Sequence, residues 1–371
     1  MKIAILRERY ECFGGAEVYS QGLIEHLARA GHSVHIYAIR WEGPPVEGVY
    51  FHRVPAVRFD PFLRDITFAL SSYFILKKEK FDIIQTHGKT LYQDIYRAGD
   101  GCHIEWLRQR WKRTNLKGKI HIVLTPYNWL ILLLERIIFK KHRFRKVIAI
   151  SELVKRNIIQ NYHINEEDIE VIYNGVDLER FHPKNKGLYR KEIRSRYGIS
   201  EDEFVVLFVG SGFERKGVRF LLKAIEIVPG PLTLMIAGKG SKEEFEGLVK
   251  NQRVIFCGPQ KEIHRYYASA DVFVLPAIYE PFGNVHLEAL ASGLPVITTK
   301  LSGGAELIRD GLNGFVIDRP EDVEEIAKKI IYLMDKYENQ RMGLNARKTA
   351  ENFSIESHIE RMVRFYYSLK V

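Results

Sequence analysis

The sequence predicts an α/β protein with two Rossmann-like domains, and three observations carry that reading. The chain opens with an apolar run, Lys2–Leu6, then a loop ending in Gly14-Gly15, a helical stretch from Ala16 to about Arg29 closed by Gly31, and a second apolar run, Ser33–Ile39. Strand, glycine loop, helix and strand in that order make one βαβ unit. The order recurs downstream: Phe204–Val209 is a continuous β-branched and aromatic run, Gly210-Ser211-Gly212 follows, Val218–Ile227 is helical, and Leu232–Ala237 is again a strand. With 371 residues the chain is long enough to give each unit its own core.

Composition sets the class. An apolar share of 46% and a charged share of 27% are those of a soluble globular protein. The N-terminal apolar stretch is too short for a signal peptide, and the longest apolar run, Trp129–Leu134, is too short to span a bilayer, so a cytoplasmic place is expected. Cys12, Cys102 and Cys257 are scattered and not at metal-ligand spacing, which reads as free thiols in a reducing compartment. The formal net charge of +10 has one source. Residues 101–150 hold 12 Lys or Arg against two Asp or Glu, a surplus of 10, and the remainder carries 44 of each sign.

In chain order, the first glycine pair, Gly14-Gly15, lets backbone approach a ligand or merely makes a tight turn. The dinucleotide fingerprint G-x-G-x-x-G is absent. Further strands are expected at 49–56 and Phe81–Gln85, with a helix over Ile66–Lys80 between them. The second strand ends at Thr86-His87-Gly88, and strand carboxyl ends are where α/β folds place sites. His87 is therefore a candidate contact, or a loop histidine with no role. Residues 92–98 read as helical or irregular and lead to Gly99-Asp100-Gly101, where Asp100 by itself is a turn aspartate. The block Glu105–Lys146 alternates Lys and Arg with Trp, Phe, Ile and Leu. That suits an amphipathic surface on an anionic membrane, electrostatic contact with nucleic acid, or a solvated helix face with its apolar side in the core. A strand over 147–150, a helix from Ser151 to about Tyr162 and a strand at 171–173 close the first domain. The turn Asn174-Gly175-Val176-Asp177 starts the second.

The loop after Phe204–Val209 presents Glu214-Arg215-Lys216-Gly217. It is neither a third-glycine fingerprint nor a P-loop, since Val218 and Arg219 follow the glycine. Two adjacent cations at a strand end fit a diphosphate, or are a surface pair stabilising nothing in particular. Helices are expected at 242–250, 261–270, 321–338 and 340–350, strands at 254–257 and 295–298, and a glycine loop at Gly303-Gly304. The final segment, Ser354–Leu369, is amphipathic.

The chemistry centres on Tyr279–Gly293. An apolar strand, Asp271–Pro276, leads into a loop with Pro281 and Gly283 and then a helix of about 284–292 with Asn284 as its N-cap and Gly293 at its stop. The first-turn amides around Phe282, Gly283, Asn284 and Val285, with the helix dipole behind them, suit an anion. Glu280 and Glu288 flank that cradle, and carboxylates, being pure acceptors, suit diols. A solvated helix glutamate and a turn cap are the plain alternatives. No D-x-D and no His, Asp or Glu cluster at metal spacing is present, so no metal or other cofactor is expected.

Taken together, E-x7-E at 280–288, the following A-S-G-L-P-V-I-T-T, S-G-G-A-E-L-I-R-D-G-L-N-G-F-V from Ser302, F-G-G-A-E at Phe13–Glu17, W-E-G at Trp41–Gly43, Y-N-G-V-D-L-E-R-F at Tyr173–Phe181 and F-E-R-K-G-V at Phe213–Val218 resemble the family-4 retaining glycosyltransferases, among them those that add glucose to the lipopolysaccharide core. The resemblance covers nearly the whole chain. It implies a GT-B-type fold, two Rossmann-like domains facing across a cleft, with residues 1–172 binding acceptor, 173–353 binding nucleotide sugar, and a terminal helix over 354–371 crossing back. It implies a UDP-sugar donor, a lipid-anchored saccharide acceptor in the inner core of lipopolysaccharide, retention at the anomeric carbon, and a place on the cytoplasmic face of the inner membrane, held through the 105–146 block, with no nucleic-acid partner. It implies roles for Asp100 on the acceptor side, Gly14, Gly15 and Arg180 toward the donor, Arg215 and Lys216 on the diphosphate, Glu280 on the sugar with Pro281 to Val285 beside it, and Glu288 on the ribose. One position departs: Pro259 stands where the relatives carry a basic donor contact. A nucleotide-sugar epimerase and a non-catalytic polyanion binder on the basic block are the competing readings. The first predicts isomerisation of free UDP-sugar, the second no effect of UDP on thermal stability.

Overall fold

The structure is a computed structural model that describes residues 1–10, 15–41, 46–140, 143–245 and 247–369, and of residues 9–10 and 15–21 the backbone alone. The chain divides into two compact units, Met1–Asn174 with His358–Val371, and Gly175–Ser357.

Among the described residues unit 1 carries nine strands: β1 (Lys2–Leu6), β2 (Arg9–Tyr10), β3 (Ser33–Ala38), β4 (Arg40–Trp41), β5 (Val49–Arg53), β6 (Ile83–Thr86), β7 (Ile95–Ala98), β8 (Lys146–Ala149) and β9 (Ile169–Val171). Seven form one parallel sheet in the order β5-β3-β1-β6-β7-β8-β9, and β2 pairs with β4. In register, Ile3 lies between Val34 and Ile83. The chain steps outward from β1 to β5, then returns to β6 on the other side of β1, so strand order reverses between β1 and β6. Ile3, Leu6, Val34, Ile36, Val147 and Ile148 are fully buried, each apolar side chain contributing about 2 kcal/mol relative to exposure. The helix expected over 66–80 is Pro61–Leu76, because Asp60 caps it by accepting from Leu63 N–H and Pro61 sits at its first position. Residues 95–98, expected to be helical or irregular, are the interior strand β7, whose Tyr96 and Arg97 are buried. The last helix, Ile355–Ser368, packs here through its carboxyl half: Tyr366 Oη donates to Gln85 Oε1 at 2.9 Å, and Tyr367 Oη lies 3.1 Å from His32 Nε2.

Unit 2 repeats the scheme with β10 (Phe204–Val209), β11 (Leu232–Ala237), β12 (Arg253–Gly258), β13 (Val272–Leu275), β14 (Val296–Thr299) and β15 (Gly314–Ile317), all parallel in the order β12-β11-β10-β13-β14-β15. Strand order reverses between β10 and β13. Two elements depart from expectation. Residues 242–250 form turns rather than a helix among the described positions, since Phe245 is the one apolar side chain buried there and Gly247 sits at φ +80°. The helix Asn185–Arg196 was not expected. Its buried face centres on Arg194, whose guanidinium donates to the carbonyls of Ser269, Ser200, Glu201 and Glu203 and to Asp271 Oδ2 at 2.8 Å. Asp271, half-buried beside it, also receives Arg190 and Val205 N–H, so the buried Arg194 has the strong partners a buried ion needs.

Candidate functional site

In unit 2 the strand reversal sets two loops side by side, the one after β10 and the one after β13. Gly217 ends the first at φ +78°, where a Cβ would stand 1.8 Å from the Pro276 carbonyl oxygen, so only glycine lets the two loops meet. Ile278 N–H donates to Arg215 O at 3.0 Å, tying them. Gly210 leaves room for the Lys216 side chain, which lies along it. The sequence therefore bends so that Arg215 and Lys216 both reach one carboxylate, Glu280. Arg215 Nη1 donates to Glu280 Oε2 at 3.2 Å and to Tyr279 O at 3.0 Å, and Lys216 Nζ lies 3.1 Å from the same Oε2. Burial would raise the Glu280 carboxyl, but Lys216 and Arg215 outweigh it and hold it below the usual carboxylate range. Its backbone is fixed as well: Glu280 N–H donates to Leu301 O and Gly303 N–H donates to Glu280 O.

The helix that follows is Asn284–Ala291, with Gly283 rather than Asn284 as its N-cap. Gly283 takes φ +74°, and a Cβ there would meet both Glu280 and His286 at 2.9 Å, so glycine holds the cap and Asn284 is the first helical residue. Pro281 and Phe282 are buried, while Gly283, Asn284 and Val285 are half-buried at the helix start. Glu288 is not a solvated helix residue: it is buried and accepts from Tyr267 Oη at 2.9 Å. Burial pushes its carboxyl up, partly offset by Tyr267, Arg180 and Lys216, which places those groups within electrostatic reach of it. Arg180 donates to Lys261 O at 2.9 Å. One residue that the motifs did not single out is His286, fully buried under this loop. Its Nδ1 lies 2.8 Å from Gly283 O, an acceptor only, so that nitrogen carries the proton, and Nε2 lies 2.9 Å from Thr298 Oγ1. Burial lowers the imidazole to about 4, so it is neutral.

In unit 1 the residues after β1, β6 and β7 converge. Gln85 Nε2 donates to His87 Nε2 at 2.7 Å, and Gln85 is itself oriented by Tyr366. Burial, then Arg97, Arg7 and His358, hold His87 well below the usual imidazole range. Asp100 stands exposed in the turn after β7, and its charge is felt by Glu8, Lys89 and Tyr96. Lys89 bridges Glu135 at 2.9 Å and donates to Tyr96 Oη at 2.7 Å. Gly14 lies outside the described residues, and Gly15 opens the helix Gly15–Arg29. No group of three or more His, Cys, Asp or Glu side chains that could hold a metal occurs among the described residues.

The basic block folds as helices His103–Arg113, Leu116–Leu124 and Pro126–Ile138. Leu130, Ile131 and Leu134 pack inward on Phe62, Ile66, Leu91 and Tyr127. Trp111, Leu116, Ile120, Leu124, Trp129 and Leu133 face outward, so only part of the apolar set is core. Among the described residues no single helix is long and apolar enough to cross a membrane, and the last two of these, passing the test only together, are bent by 59°.

Comparison with known proteins agrees with this architecture. Residues 13–180 match the model of Glycosyltransferase Family 4, and residues 189–349 that of Glycosyl transferases group 1. The chain is 27% identical over 342 residues to the lipopolysaccharide glucosyltransferase WaaG of Escherichia coli, covering 89% of this chain and 90% of that one. Its structure superposes on that of WaaG, a glycosyltransferase involved in lipopolysaccharide biosynthesis, with TM-score 0.82 and 23% identity over 98% of this chain and 99% of that one. It also superposes on Anabaena HepE in complex with UDP-glucose, with TM-score 0.73 and 19% identity over 99% of this chain and all of that one.

Proposed function

We propose that this chain, which belongs to the family-4-type GT-B glycosyltransferases, transfers a hexose, glucose above others, from a UDP-sugar to a saccharide acceptor with retention at the anomeric carbon. The observation that carries the reading is the trio at the unit 2 switch point, Arg215 and Lys216 on one oxygen of Glu280 beside a helix start. The anomeric C1–O bond to the diphosphate breaks, UDP leaves with the electron pair, and the acceptor oxygen bonds to C1 and passes its proton to the departing diphosphate oxygen. Charge builds on the diphosphate as that bond breaks, and two cations and a helix N-terminus held in place stabilise it without reorganising. Without substrate Glu280 pairs with both cations and offsets one of their two charges. A bound diphosphate would take them over and release Glu280 for the sugar hydroxyls, while buried Glu288, oriented by Tyr267, would hold the ribose diol. No metal is invoked. A UDP-glucose complex of a structural neighbour supports the choice of donor, and the lipopolysaccharide relative supports an inner-core acceptor.

The acceptor would be lipid-anchored, and the outward Trp, Leu and basic residues of 105–146, which suit the headgroup level of an anionic membrane, would hold the protein peripherally on the inner membrane. The rival within the same fold is another donor or acceptor, a polysaccharide or glycolipid. A thermal-shift screen of UDP-, GDP- and ADP-sugars followed by transfer to truncated lipopolysaccharide tests the reading. A rise in Tm with UDP-sugars and labelled product are expected. A rise only with GDP- or ADP-sugars, or isomerised donor without transfer, overturns it.

A further inference from the structure

The unit 1 switch point holds a carboxylate that the reaction above leaves unused. Glu8 lies two residues beyond the end of β1, and β1 and β6 flank the place where strand order reverses. Open α/β sheets seat ligands outside the strand carboxyl ends at that place. Arg64 Nε meets Glu8 Oε2 at 3.0 Å, Arg64 Nη2 meets Asp65 Oδ1 at 2.9 Å, and Tyr127 Oη donates to Asp65 Oδ2 at 2.9 Å. Glu8 is thus fixed from one side, and among the described residues its Oε1 has no partner. The Glu8 side chain keeps 23% of its surface in solvent, so a ligand can reach it.

We propose that Glu8 is a specificity-determining contact for the acceptor: its carboxylate takes a hydroxyl of the accepting sugar, and with Asp65 and Asp100 it selects a neutral polyhydroxyl ring over one bearing phosphate near the reacting position. The inference rests on the glycosyltransferase reading. Of the charges that act on Glu8, Arg64 offsets one of the two carboxylates it meets and Asp100 adds a further negative charge, while Lys89 is paired with Glu135. A phosphate would meet surplus negative charge, whereas a hydroxyl donates to it. Among the described residues the groups whose charge reaches Glu8 are Arg64 and Asp65 from the helix Pro61–Leu76 and Asp100 from the turn after β7, while Arg7 and Arg97 act on His87 at the neighbouring strand end. Burial first, then Asp65 and Asp100, against the opposing pull of Arg64, raise its carboxyl to about 6. Ionised Glu8, the form that accepts from a hydroxyl, therefore accumulates as pH rises through about 6.

The test uses the full chain, its UDP-sugar, and two acceptors: an alkyl glycoside and the same glycoside phosphorylated beside the accepting hydroxyl. The wild type should prefer the neutral acceptor in kcat/KM by about tenfold or more. Glu8→Gln, which keeps the size and a bond to Arg64, should raise the KM for the neutral acceptor about tenfold. It should also narrow the preference and remove the rise of acceptor kcat/KM near pH 6, while the UDP-induced shift in Tm stays as in the wild type. Glu8→Asp should recover the discrimination against phosphate. Unchanged acceptor KM in Glu8→Gln with a normal UDP shift, or equal use of the two acceptors by the wild type, overturns the inference alone. If UDP fails to raise the Tm of the wild type, the donor reading falls and this inference with it.

Discussion

At the reversal of strand order, unit 2 gathers two cations around one carboxylate, Arg215 and Lys216 on Glu280, whereas unit 1 gathers Glu8 and Asp65 around one guanidinium, Arg64, with Asp100 close by. The scaffolds are alike: parallel sheets, a central first strand, and loops meeting at the carboxyl ends. Topology therefore supplies the place in both units, and the sign of the side chains set there separates what each can take. A surplus of cations invites a diphosphate, and a surplus of carboxylates invites hydroxyls. The difference also shows in exposure, since Glu280 is buried while Asp100 stands in solvent.

The comparison breaks most sharply at Lys216. If the unit 2 site takes a diphosphate, Lys216→Ala should lower turnover by about a hundred- to a thousandfold, the range for losing one preorganised charge partner in a transition state. The fold should persist, because the glycine turn at Gly217 and the Arg215 carbonyl tie stay in place. Near-normal turnover, with circular dichroism and Tm unchanged, would remove the diphosphate assignment and with it the contrast between the units.

Glu280→Gln sharpens the contrast because two effects of opposite sign are expected. Without its charge Arg215 and Lys216 no longer face a competing carboxylate, so UDP should bind several-fold tighter by calorimetry. Turnover should nevertheless fall about a hundredfold, since the sugar hydroxyls lose their charged acceptor. The pH dependence of Tm checks the same trio. The folded Glu280 carboxyl lies below its ordinary value, so the stability it brings is present above that value and is lost as pH falls through the depressed one. Glu280→Gln should flatten that acid limb. Weaker UDP binding in the variant would contradict the exchange of partners.

How much of this was legible in the sequence follows the same division. The unit 2 site could be read because its parts are short local signals: a glycine loop carrying two cations, and a carboxylate on either side of a helix start. Glu8 could not, since its meaning comes from Arg64 and Asp65 on another element, joined only by folding. His286 and Tyr267 were hidden for a related reason, being polar groups inside apolar patterns whose partners, Gly283, Thr298 and Glu288, are fixed by tertiary contact. The helix Asn185–Arg196 escaped because its buried anchor is an arginine, and charge there reads as a solvated face. β7 escaped for the same reason, with Arg97 at its centre.

His286 gives a smaller, more diagnostic effect. Its Nδ1–H holds the Gly283 carbonyl at the turn that sets the helix start against Glu280. His286→Leu removes that bond and should raise the KM for the donor about tenfold, while the KM for the acceptor stays. His286→Asn, whose amide can donate to the same carbonyl, should recover part of it. A variant that loses Tm but keeps its donor KM would make His286 a core residue with no part in holding the site.

The smallest effect separates the two carboxylates within unit 2. Among the described residues Glu288 takes its side-chain hydrogen bond from Tyr267, with Arg180 and Lys216 acting only through their charge, where Glu280 has two cations in direct contact. Tyr267→Phe removes a hydrogen bond worth about 1 kcal/mol, which predicts a roughly fivefold loss in donor affinity. The Glu288 carboxyl, already pushed up by burial, should rise further without the donor, so the loss should grow as pH is lowered toward its titration and shrink above it. If Glu288 holds the ribose, the penalty should be larger for a UDP-sugar than for the same donor lacking a ribose hydroxyl. An equal penalty for both would place the diol elsewhere and leave Glu288 a buried acid that only braces its helix.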